Sequence, residues 1–386
     1  MLKKLFRNYD YSLIVTTLLL TAFGVIMVYS ASMVWSVMQL GQASSYIFKK
    51  QLFWCFVAIP AGIVGMLIPY KMYKALVKPI TLLTILMLIF VLLFGKVSHN
   101  AQSWIVIGPI QIQPAELAKM TVIIYLASVF SNKQSFISDF KTGVLPPLVM
   151  ILLIFLLITI QPDLGNGMII AGISSVVILC SGMRTKHLMW LLGLAVTAIG
   201  ALSLFLLTGQ QASRFTAAYK PFTVADSHGL QLINSYIAIA SGGITGKGLG
   251  QSIEKAGFLP EPHTDFIMAI VAEELGLIGV LFVILCLAYL IFKGFVIGIR
   301  CKDVFGSLLA IGISGLLAIQ SIINLGAMTG LLPVTGVTLP FVSYGGTSLV
   351  MMMFTMGVLV NISSFVNMKR KKHKNKEERN VAHQAH

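Results

Sequence analysis

Charged side chains are scarce in this sequence of 386 residues. Asp, Glu, Lys and Arg together make up 11% of it, and only 13 residues are acidic. Because ordinary globular domains carry about 25% charged residues, this chain could not cover the surface of a soluble protein of its size. A large soluble domain is therefore excluded. With 57% hydrophobic residues, the composition indicates an integral membrane protein.

Reactive motifs are few as well. The four cysteines show no paired spacing, so we expect neither a disulfide nor a metal knuckle. The sequence contains no HExxH motif and no serine nucleophile elbow. The net charge of +15 is carried largely by short basic clusters between apolar runs. This is the charge pattern of membrane topology and not of nucleic-acid binding.

The apolar runs predict an all-α, polytopic membrane protein. A helix needs about 20 apolar residues to cross the hydrocarbon core. Ten runs satisfy this rule, at about 11–32, 51–69, 76–95, 115–131, 144–161, 166–182, 187–208, 266–292, 304–326 and 344–366. We expect residues 1–368 to form one membrane domain and residues 369–386 to form a basic, disordered tail.

The distribution of Lys and Arg predicts the orientation. With the N-terminus in the cytoplasm, most of the 28 Lys and Arg residues fall in cytoplasmic segments, as the positive-inside rule requires. Both termini are then cytoplasmic, and the long loop 209–265 between spans seven and eight is extracellular. Its apolar segment 230–240 is too short to span and suits a re-entrant or interfacial helix.

Several charged residues lie in or near the predicted spans, where each is costly. Glu116 and Lys119 are three residues apart and can pair on one helical face; they form either a packing ion pair or a site at which Lys119 faces an anionic substrate group. Asp163, in QPDLGNG, favours a helix cap. Glu273 and Glu274, both inside span eight, require partners or a polar cavity.

The segment 257–276 holds the densest cluster of polar residues. Glu261, His263 and Asp265 end the long loop immediately before span eight. Thr264 or Asp265 can cap that helix, or Asp265 can act as a general base at the membrane face, where apolar surroundings favour proton uptake. Position alone leaves both readings open.

Two glycine-containing segments each allow two interpretations, one structural and one as a binding site. SGGITGKGLG (241–250) is a flexible turn or, with Lys247, a cradle for pyrophosphate; it lacks the glycine and hydroxyl positions of a Walker motif. PFVSYGGTS (340–348) packs closely at the start of span ten, or binds a ligand through Ser343 or Thr347.

Taken together, these motifs resemble the SEDS family (shape, elongation, division and sporulation), and the opening of the chain resembles its cell-division branch. Six segments carry the resemblance in the same order: MVYSASM (27–33), SWIVIGPIQIQPAELAKM (103–120), QPDLG (161–165), LQLINSYIAIASGGITGKGLGQS (230–252), LPEPHTDFIMAIVAEELG (259–276) and LPVTGVTLPFVSYGGTS (332–348).

The resemblance implies a glycosyltransferase that polymerises lipid II into peptidoglycan strands. The family's essential aspartate matches Asp265, and its loop tryptophan matches Trp104. Its charged pair in span four matches Glu116 and Lys119, and a basic loop position matches Arg214. Two departures from the family pattern are visible, at Ser103 and Pro262.

These matches lead to a mechanistic hypothesis. Asp265 is the base, and Arg214, Lys119 and Lys247 are candidates for stabilising the leaving pyrophosphate. A divalent cation, Mg²⁺ or Mn²⁺, is a further candidate, whereas no organic cofactor is expected. Substrate contacts are predicted for these residues: Trp104, Glu116, Lys119, Arg214, Lys247, His263 and Ser343.

The same resemblance implies the partners and the location. We expect lipid II, membrane lipids, other division proteins and a class B penicillin-binding protein to be partners, at the division septum of the bacterial cytoplasmic membrane, and no nucleic acid. Alternatives are a lipid II flippase, an elongation-type polymerase and a scaffold that activates a partner synthase.

Overall fold

The chain is a bundle of long apolar helices. The computed structural model describes residues 2–98, 101–108, 110–134, 143–183, 189, 210–224 and 228–384. Its helices are α1 Leu2–Phe6, α2 Tyr11–Met38, α3 Tyr46–Leu67, α4 Tyr70–Ala75, α5 Val77–Phe94, α6 Pro114–Asn132, α7 Leu145–Ile160, α8 Leu164–Leu179, α9 Gln210–Tyr219, α10 His228–Gly242, α11 Ile267–Arg300, α12 Val304–Met328 and α13 Gly346–Gln384. Short 3₁₀ turns occupy Pro221–Val224 and Glu254–Ala256.

The multi-pass helical architecture is confirmed. Within the described ranges, seven helices are long and apolar enough to cross a membrane, and α7 and α8 are shorter apolar helices. Each of these coincides with a predicted span. The predicted span 187–208 lies outside the described residues, apart from the single residue 189. The total of ten spans and the extracellular position of the loop 209–265 therefore stay predictions.

The helices differ in how much of their surface they bury. About 78% of the apolar stretch is buried in α6 and in α12, but only 22% in α5. The central helices therefore contact protein on nearly all sides, and the outer ones keep an apolar surface for lipid. α3 and α13 pack so closely that a Cβ atom on Gly65 or Gly357 would meet the opposing backbone. The absence of a side chain at these glycines permits this contact.

A small antiparallel sheet interrupts the helical fold between α5 and α6. Its strands are β1 Lys96–Ser98, β2 Ala101–Ile107 and β3 Ile110–Ile112, in the order β1-β2-β3. The β-branched residues of WIVIGPIQI favour strands, and Gly108, with φ of +59°, permits the turn between β2 and β3. From the sequence only a loop is expected here, since these strands are much shorter than the apolar runs around them.

The start of α8 and the end of α13 each bear on an expectation from the sequence. Asp163 caps α8, because Oδ1 accepts from the backbone N–H of Asn166 at 3.1 Å, as predicted. α13 continues without a break to Gln384, so the structure gives helix where a disordered tail was expected. The segment KRKKHKNKEERN contains good helix formers and neither Pro nor Gly, which lets the helix propagate.

The N-terminal segment contacts α3, α11 and α13 at one end of the bundle. The Tyr9 hydroxyl donates to the carbonyl of Met66 at the end of α3 (2.9 Å). Asn367 of α13 donates to the carbonyl of Asn8 (3.0 Å), and Lys293 of α11 pairs with Asp10 (3.0 Å). Asp265 precedes the opposite end of α11. The predicted catalytic and basic tail regions therefore lie at opposite ends of the molecule.

α11 is broken at Gly276, and a loop is docked at the break. Gly276 has φ of 64° and ψ of −158°, a region that is essentially restricted to glycine. The N–H of Leu277 donates to the carbonyl of Gly243 (3.0 Å), and the N–H groups of Lys247 and Gly248 donate to the carbonyls of Glu273 and Glu274 (both 2.9 Å). The loop thus satisfies backbone groups that the break releases inside the bundle.

Replacing Gly276 with alanine is expected to destabilise the protein strongly. The strained backbone costs about 1–3 kcal/mol, and the added Cβ would meet the N–H nitrogen of Gly246 and the carbonyl of Ile244. Gly41→Ala is the control, because Gly41 also has positive φ (+61°) but nothing lies within 4 Å of its Cβ position. Thermal unfolding of the purified proteins measures both; equal losses would contradict the docking of the loop at Gly276.

Candidate functional site

Asp265 lies two residues before α11 and does not hold the capping position. That position belongs to Phe266, which makes no side-chain capping bond. The hydroxyl of Thr264 is 2.9 Å from Asp265 Oδ1 and 3.4 Å from Glu261 Oε2, so the two carboxylates lie on either side of one hydroxyl. Asp265 is half-buried. The helix-cap reading thus loses its support, and a partly exposed carboxylate remains at this end of the bundle.

Two amide side chains of α12 hold the backbone around Asp265. Asn324 Nδ2 donates to the carbonyl of Asp265 at 2.9 Å and to the carbonyl of Val337 at 2.7 Å. One turn earlier, Gln320 Nε2 donates to the carbonyl of Thr338 at 3.0 Å. Both amides are buried. They connect the segment that carries Asp265 to the loop 329–345 that precedes α13.

Glu116 and Lys119 form the predicted ion pair, with 2.7 Å between Glu116 Oε2 and Lys119 Nζ. The side chain of Lys119 is 1% exposed, and its ammonium also donates to Gln320 Oε1 at 3.0 Å. The pair is therefore joined through Gln320 to the framework that holds Asp265. This arrangement matches the packing ion pair; the substrate contacts of Glu116 and Lys119 stay predictions.

His263 is packed between two aromatic rings. Its ring centroid lies 5.0 Å from that of Trp35 and 5.6 Å from that of Tyr344, and its carbonyl accepts from the N–H of Tyr344 at 2.9 Å. Burial lowers the pKa of His263 from 6.5 to about 4. The imidazole is therefore neutral at neutral pH, which makes it a packing element beside Asp265 and not a cation.

Ser343 and Thr347 shape the loop on the other side of His263. The Ser343 hydroxyl accepts from the N–H of Leu339 at 2.9 Å and is buried. Thr347 donates to the carbonyl of Gln111 in β3 at 2.9 Å, which ties the start of α13 to the sheet. Trp104, half-buried in β2, is held near this end of the bundle by the same sheet. The ligand contacts of Ser343 and Trp104 stay predictions.

Glu273 and Glu274 have the partners that their burial requires. Lys247 Nζ lies 2.8 Å from Glu273 Oε1, and Lys255 Nζ lies 2.6 Å from Glu274 Oε1. The hydroxyl of Ser30 in α2 also donates to Glu274 at 2.6 Å. Both carboxylates are completely buried. The expectation that two carboxylates in one span need compensation is confirmed. Lys247 comes from the docked loop, and Lys255 comes from the turn Glu254–Ala256 that follows it.

This pairing bears on the expected pyrophosphate cradle. The ammonium of Lys247 is engaged by Glu273, and the N–H groups of Lys247 and Gly248 donate to carbonyls of α11. These donors therefore serve to dock the loop in the described structure. The pyrophosphate contact of Lys247 stays a prediction.

Arg214 is half-buried in α9 and makes no ion pair with a carboxylate in the described ranges. α9 and α10 pack at the end of α12: a Cβ atom on Gly330 would meet both the Tyr236 hydroxyl and the Ala218 carbonyl. The Tyr236 hydroxyl donates to the carbonyl of Thr329 (3.3 Å). The structure places Arg214 in this layer without joining it directly to Asp265.

The residues that connect the parts of the site were not predicted from the sequence. Gln320 and Asn324 are four residues apart in an apolar helix, where polar side chains are costly unless they bond inside the bundle. That spacing alone could have identified Gln320 and Asn324 as side chains that form hydrogen bonds inside the bundle. Lys255 was not among the predicted site residues, although two intramembrane carboxylates call for two basic partners. Which carboxylate each lysine meets depends on the docked loop.

The described residues fit a divalent cation only in part. No group of three His, Cys, Asp or Glu side chains gathers among them. Asp265 and Glu261, which flank the Thr264 hydroxyl, are the carboxylates that could hold an ion. Since Mg²⁺ commonly takes one or two carboxylates together with substrate phosphates, this pair suits an ion shared with a phosphorylated substrate.

Comparison with known protein families identifies the chain. The family model described as "Cell cycle protein", which covers FtsW, RodA and SpoVE, matches residues 10–368. The chain belongs to this family. The resemblance to SEDS proteins drawn from the six sequence segments is thereby confirmed.

Curated relatives of this family match over nearly their full length. The "Probable peptidoglycan glycosyltransferase FtsW" of Bacillus subtilis (strain 168) is 51% identical, over 97% of this chain and 95% of the relative. "Stage V sporulation protein E" of the same organism is 39% identical, over 92% and 97%. The "Probable peptidoglycan glycosyltransferase FtsW" of Geobacter metallireducens is 37% identical, over 93% of this chain and 95% of the relative.

Solved structures of the family share the fold. A chain in the structure described as "Structural coordination of polymerization and crosslinking by a peptidoglycan synthase complex" has a TM-score of 0.75 and 25% identity, over 93% of this chain and 98% of that one. RodA of Thermus thermophilus has a TM-score of 0.68 and 24% identity, over 92% and 96%. The SEDS-type membrane fold expected from the sequence is thus confirmed.

The buried pair of Glu116 and Lys119 gives a double-mutant test. Lys119→Met leaves an uncompensated buried carboxylate and is expected to cost about 3–5 kcal/mol. The double variant Glu116→Gln/Lys119→Met removes both charges and should recover most of this loss. Thermal unfolding of the two single variants and the double variant measures the coupling. Additive losses would show that the two side chains do not act as a pair.

Buried His263 predicts a pH dependence of stability. Below pH 6.5 the unfolded chain binds a proton that the folded imidazole takes up only near its pKa of about 4. The contribution of His263 to the free energy of unfolding is therefore fully present above pH 6.5. It falls between pH 6.5 and 4, by up to about 3 kcal/mol. Unfolding temperatures of the wild type and His263→Phe measured across this window should converge toward low pH; parallel curves would exclude a buried neutral imidazole.

Proposed function

We propose that this chain is a peptidoglycan glycosyltransferase that polymerises lipid II at the outer face of the bacterial cytoplasmic membrane. The observation that carries the proposal is the environment of Asp265. Its carboxylate is partly exposed, it does not cap α11, and Asn324 fixes its backbone. Membership in a family whose Bacillus subtilis member is named a probable peptidoglycan glycosyltransferase supports the reaction class.

The reaction requires a base, a held geometry and stabilisation of a leaving anion. The 4-hydroxyl of the acceptor sugar forms a new bond to the anomeric carbon of the donor, and Asp265 accepts its proton. The bond from the anomeric carbon to the pyrophosphate oxygen breaks, and undecaprenyl pyrophosphate leaves with the bonding electrons. A divalent cation, when bound with the substrate, would neutralise charge on that pyrophosphate.

The protein contributes mainly by placing the base. Thr264 donates to the Asp265 carboxylate, and Asn324 donates to the backbone carbonyl of Asp265. Little rotational freedom of this residue therefore remains to be lost when the reaction begins. Arg214 is the best-suited cation for the leaving group, since it has no ion-pair partner among the described carboxylates, whereas Lys119 and Lys247 do.

The charged residues inside the bundle favour this proposal over transport. A flippase would need polar side chains along a path through the membrane. The ammonium groups of Lys119 and Lys255 are instead buried in closed pairs with Glu116 and Glu274. Such pairs stabilise a fixed fold and do not line a described channel, so a flippase is the second candidate.

We infer that the enzyme acts in division, at the septum, together with a transpeptidase. Identity of 51% to an FtsW, against 24% to the RodA of known structure, favours the division branch over elongation. The sequence offers no transpeptidase serine motif, so cross-linking requires another protein. A class B penicillin-binding protein fits, and a structural relative comes from a peptidoglycan synthase complex described as coordinating polymerisation and cross-linking. Other division proteins are expected around this pair.

Asp265→Asn tests the proposed base. The variant should fold and bind lipid II like the wild type and form glycan strands at least 100-fold more slowly, which is the lower range for a lost general base. Asp10→Asn, the same substitution at the opposite end of the bundle, is the matched control and should retain activity. Gel analysis of glycans made from lipid II by the purified proteins, with and without the transpeptidase, measures the effect. A near wild-type rate for Asp265→Asn would remove the assignment.

A further inference from the structure

Two neighbouring cavities open at the end of the bundle opposite Asp265. The first, of about 410 Å³, lies between the C-terminal end of α11 and the last helix, α13. The second, of about 400 Å³, lies between α13 and the N-terminal segment. Both are lined by Arg370. We call these two cavities the basic pocket pair.

The side chains that line the basic pocket pair carry a net positive charge. Six cations line it: Arg7, Arg300, Lys302, Lys369, Arg370 and Lys371. No carboxylate belongs to either lining, and none of the six makes an ion pair with a carboxylate in the described ranges. Asp303 follows Lys302 but caps α12 through the N–H of Gly306 at 3.0 Å. Lys293, two turns before Arg300, is already paired with Asp10.

The floor of the first cavity is apolar. Tyr70, 2% exposed, stacks on Phe305 with 6.3 Å between ring centroids and meets the edge of Phe365 at 5.2 Å. The cations thus surround an aromatic floor. A ligand that fills this space must offer both negative charge and apolar surface.

The surface beside the cations is apolar as well. Ile299, next to Arg300, is 79% exposed, and Phe292, seven residues earlier on the same face of α11, is 67% exposed. In a membrane protein these side chains contact acyl chains. The cations therefore lie where a lipid-covered helix surface ends and the headgroup layer begins.

We propose that the basic pocket pair binds the phosphate headgroup of an anionic glycerophospholipid, with its acyl chains along Phe292 and Ile299. Arginine side chains bind phosphate oxygens in a two-pronged geometry, and basic pockets between membrane helices suit anionic headgroups. A zwitterionic lipid brings its own ammonium into a cationic site. An acidic peptide or free phosphate matches the charge but leaves the apolar surface of α11 unused.

Binding there would link three parts of the chain. The cations come from the N-terminal segment, from the end of α11 and from α13, and an anion between them offsets their mutual repulsion. The inference depends on the charge and shape of this end of the bundle and not on the proposed reaction at the other end. It therefore stands or falls separately from the glycosyltransferase proposal.

Lipid titrations of the purified full-length chain test the proposal. In a neutral detergent, native mass spectrometry and unfolding temperature are followed with short-chain phosphatidylglycerol and with phosphatidylcholine of the same chain length. We expect phosphatidylglycerol to bind at least tenfold more tightly and to raise the unfolding temperature. Equal binding of the two lipids would overturn the proposal.

Matched variants locate the site. Lys369→Gln/Arg370→Gln should weaken phosphatidylglycerol binding at least tenfold. Lys49→Gln/Lys50→Gln removes the same number of adjacent, exposed cations from α3 at the opposite end and should bind like the wild type. Lys369→Arg/Arg370→Lys keeps the charges and should retain binding, which separates lost charge from lost folding. Unchanged binding by the folded glutamine variant would overturn the site.

Competition distinguishes the possible sources of negative charge. Inorganic phosphate and a soluble glutamate-rich peptide are each added to the complex with phosphatidylglycerol. We expect neither to displace the lipid at equal concentration, since neither uses the apolar surface. Displacement by phosphate would replace the lipid site with an anion site, and displacement by the peptide would replace it with a protein-docking surface.

Discussion

The structure depends on one constraint: every backbone group and every charge buried in the bundle needs a partner within the protein. The break in α11 at Gly276 releases peptide groups where water is scarce, and the loop 243–248 supplies their hydrogen bonds. The same loop and its continuation supply Lys247 and Lys255 to the two buried glutamates. One docked segment therefore compensates both the broken helix and its charges.

This docking helps to hold Asp265, the proposed base, at the end of a membrane helix. The chain leaves the docked loop, passes through the turn at Glu254–Ala256 and reaches Asp265 just before α11 begins. On the other side, Asn324 and Gln320 of α12 hold that segment and the buried pair of Glu116 and Lys119. Asp265, the proposed base, is half-buried, whereas Asn324 and Gln320, which hold the surrounding backbone, are fully buried. A rigid support of this kind is what preorganised catalysis requires.

The two ends of the bundle have opposite chemistry. One end gathers Asp265, Glu261 and a neutral His263, and the other gathers cations around Arg370. A lipid-linked substrate at the first end and an anionic lipid at the second would both contact the apolar helix surfaces between them. The membrane thus acts as solvent for the outer helices and, under both proposals, would be the source of the bound lipids.

The membrane class, the positions of the nine described apolar helices, the family and the pairing of Glu116 with Lys119 could all be predicted from the sequence. These follow from local properties, namely the length of apolar runs, helical spacing and linear motifs. Three features could be seen only in the folded chain: the pairing of Lys247 and Lys255 with Glu273 and Glu274, the hydrogen bond from Asn324 to Asp265, and the short sheet that carries Trp104. Each of these contacts joins segments that are distant in sequence or too short to leave a pattern. Their partners are therefore fixed by how the helices pack and not by the order of residues along the chain.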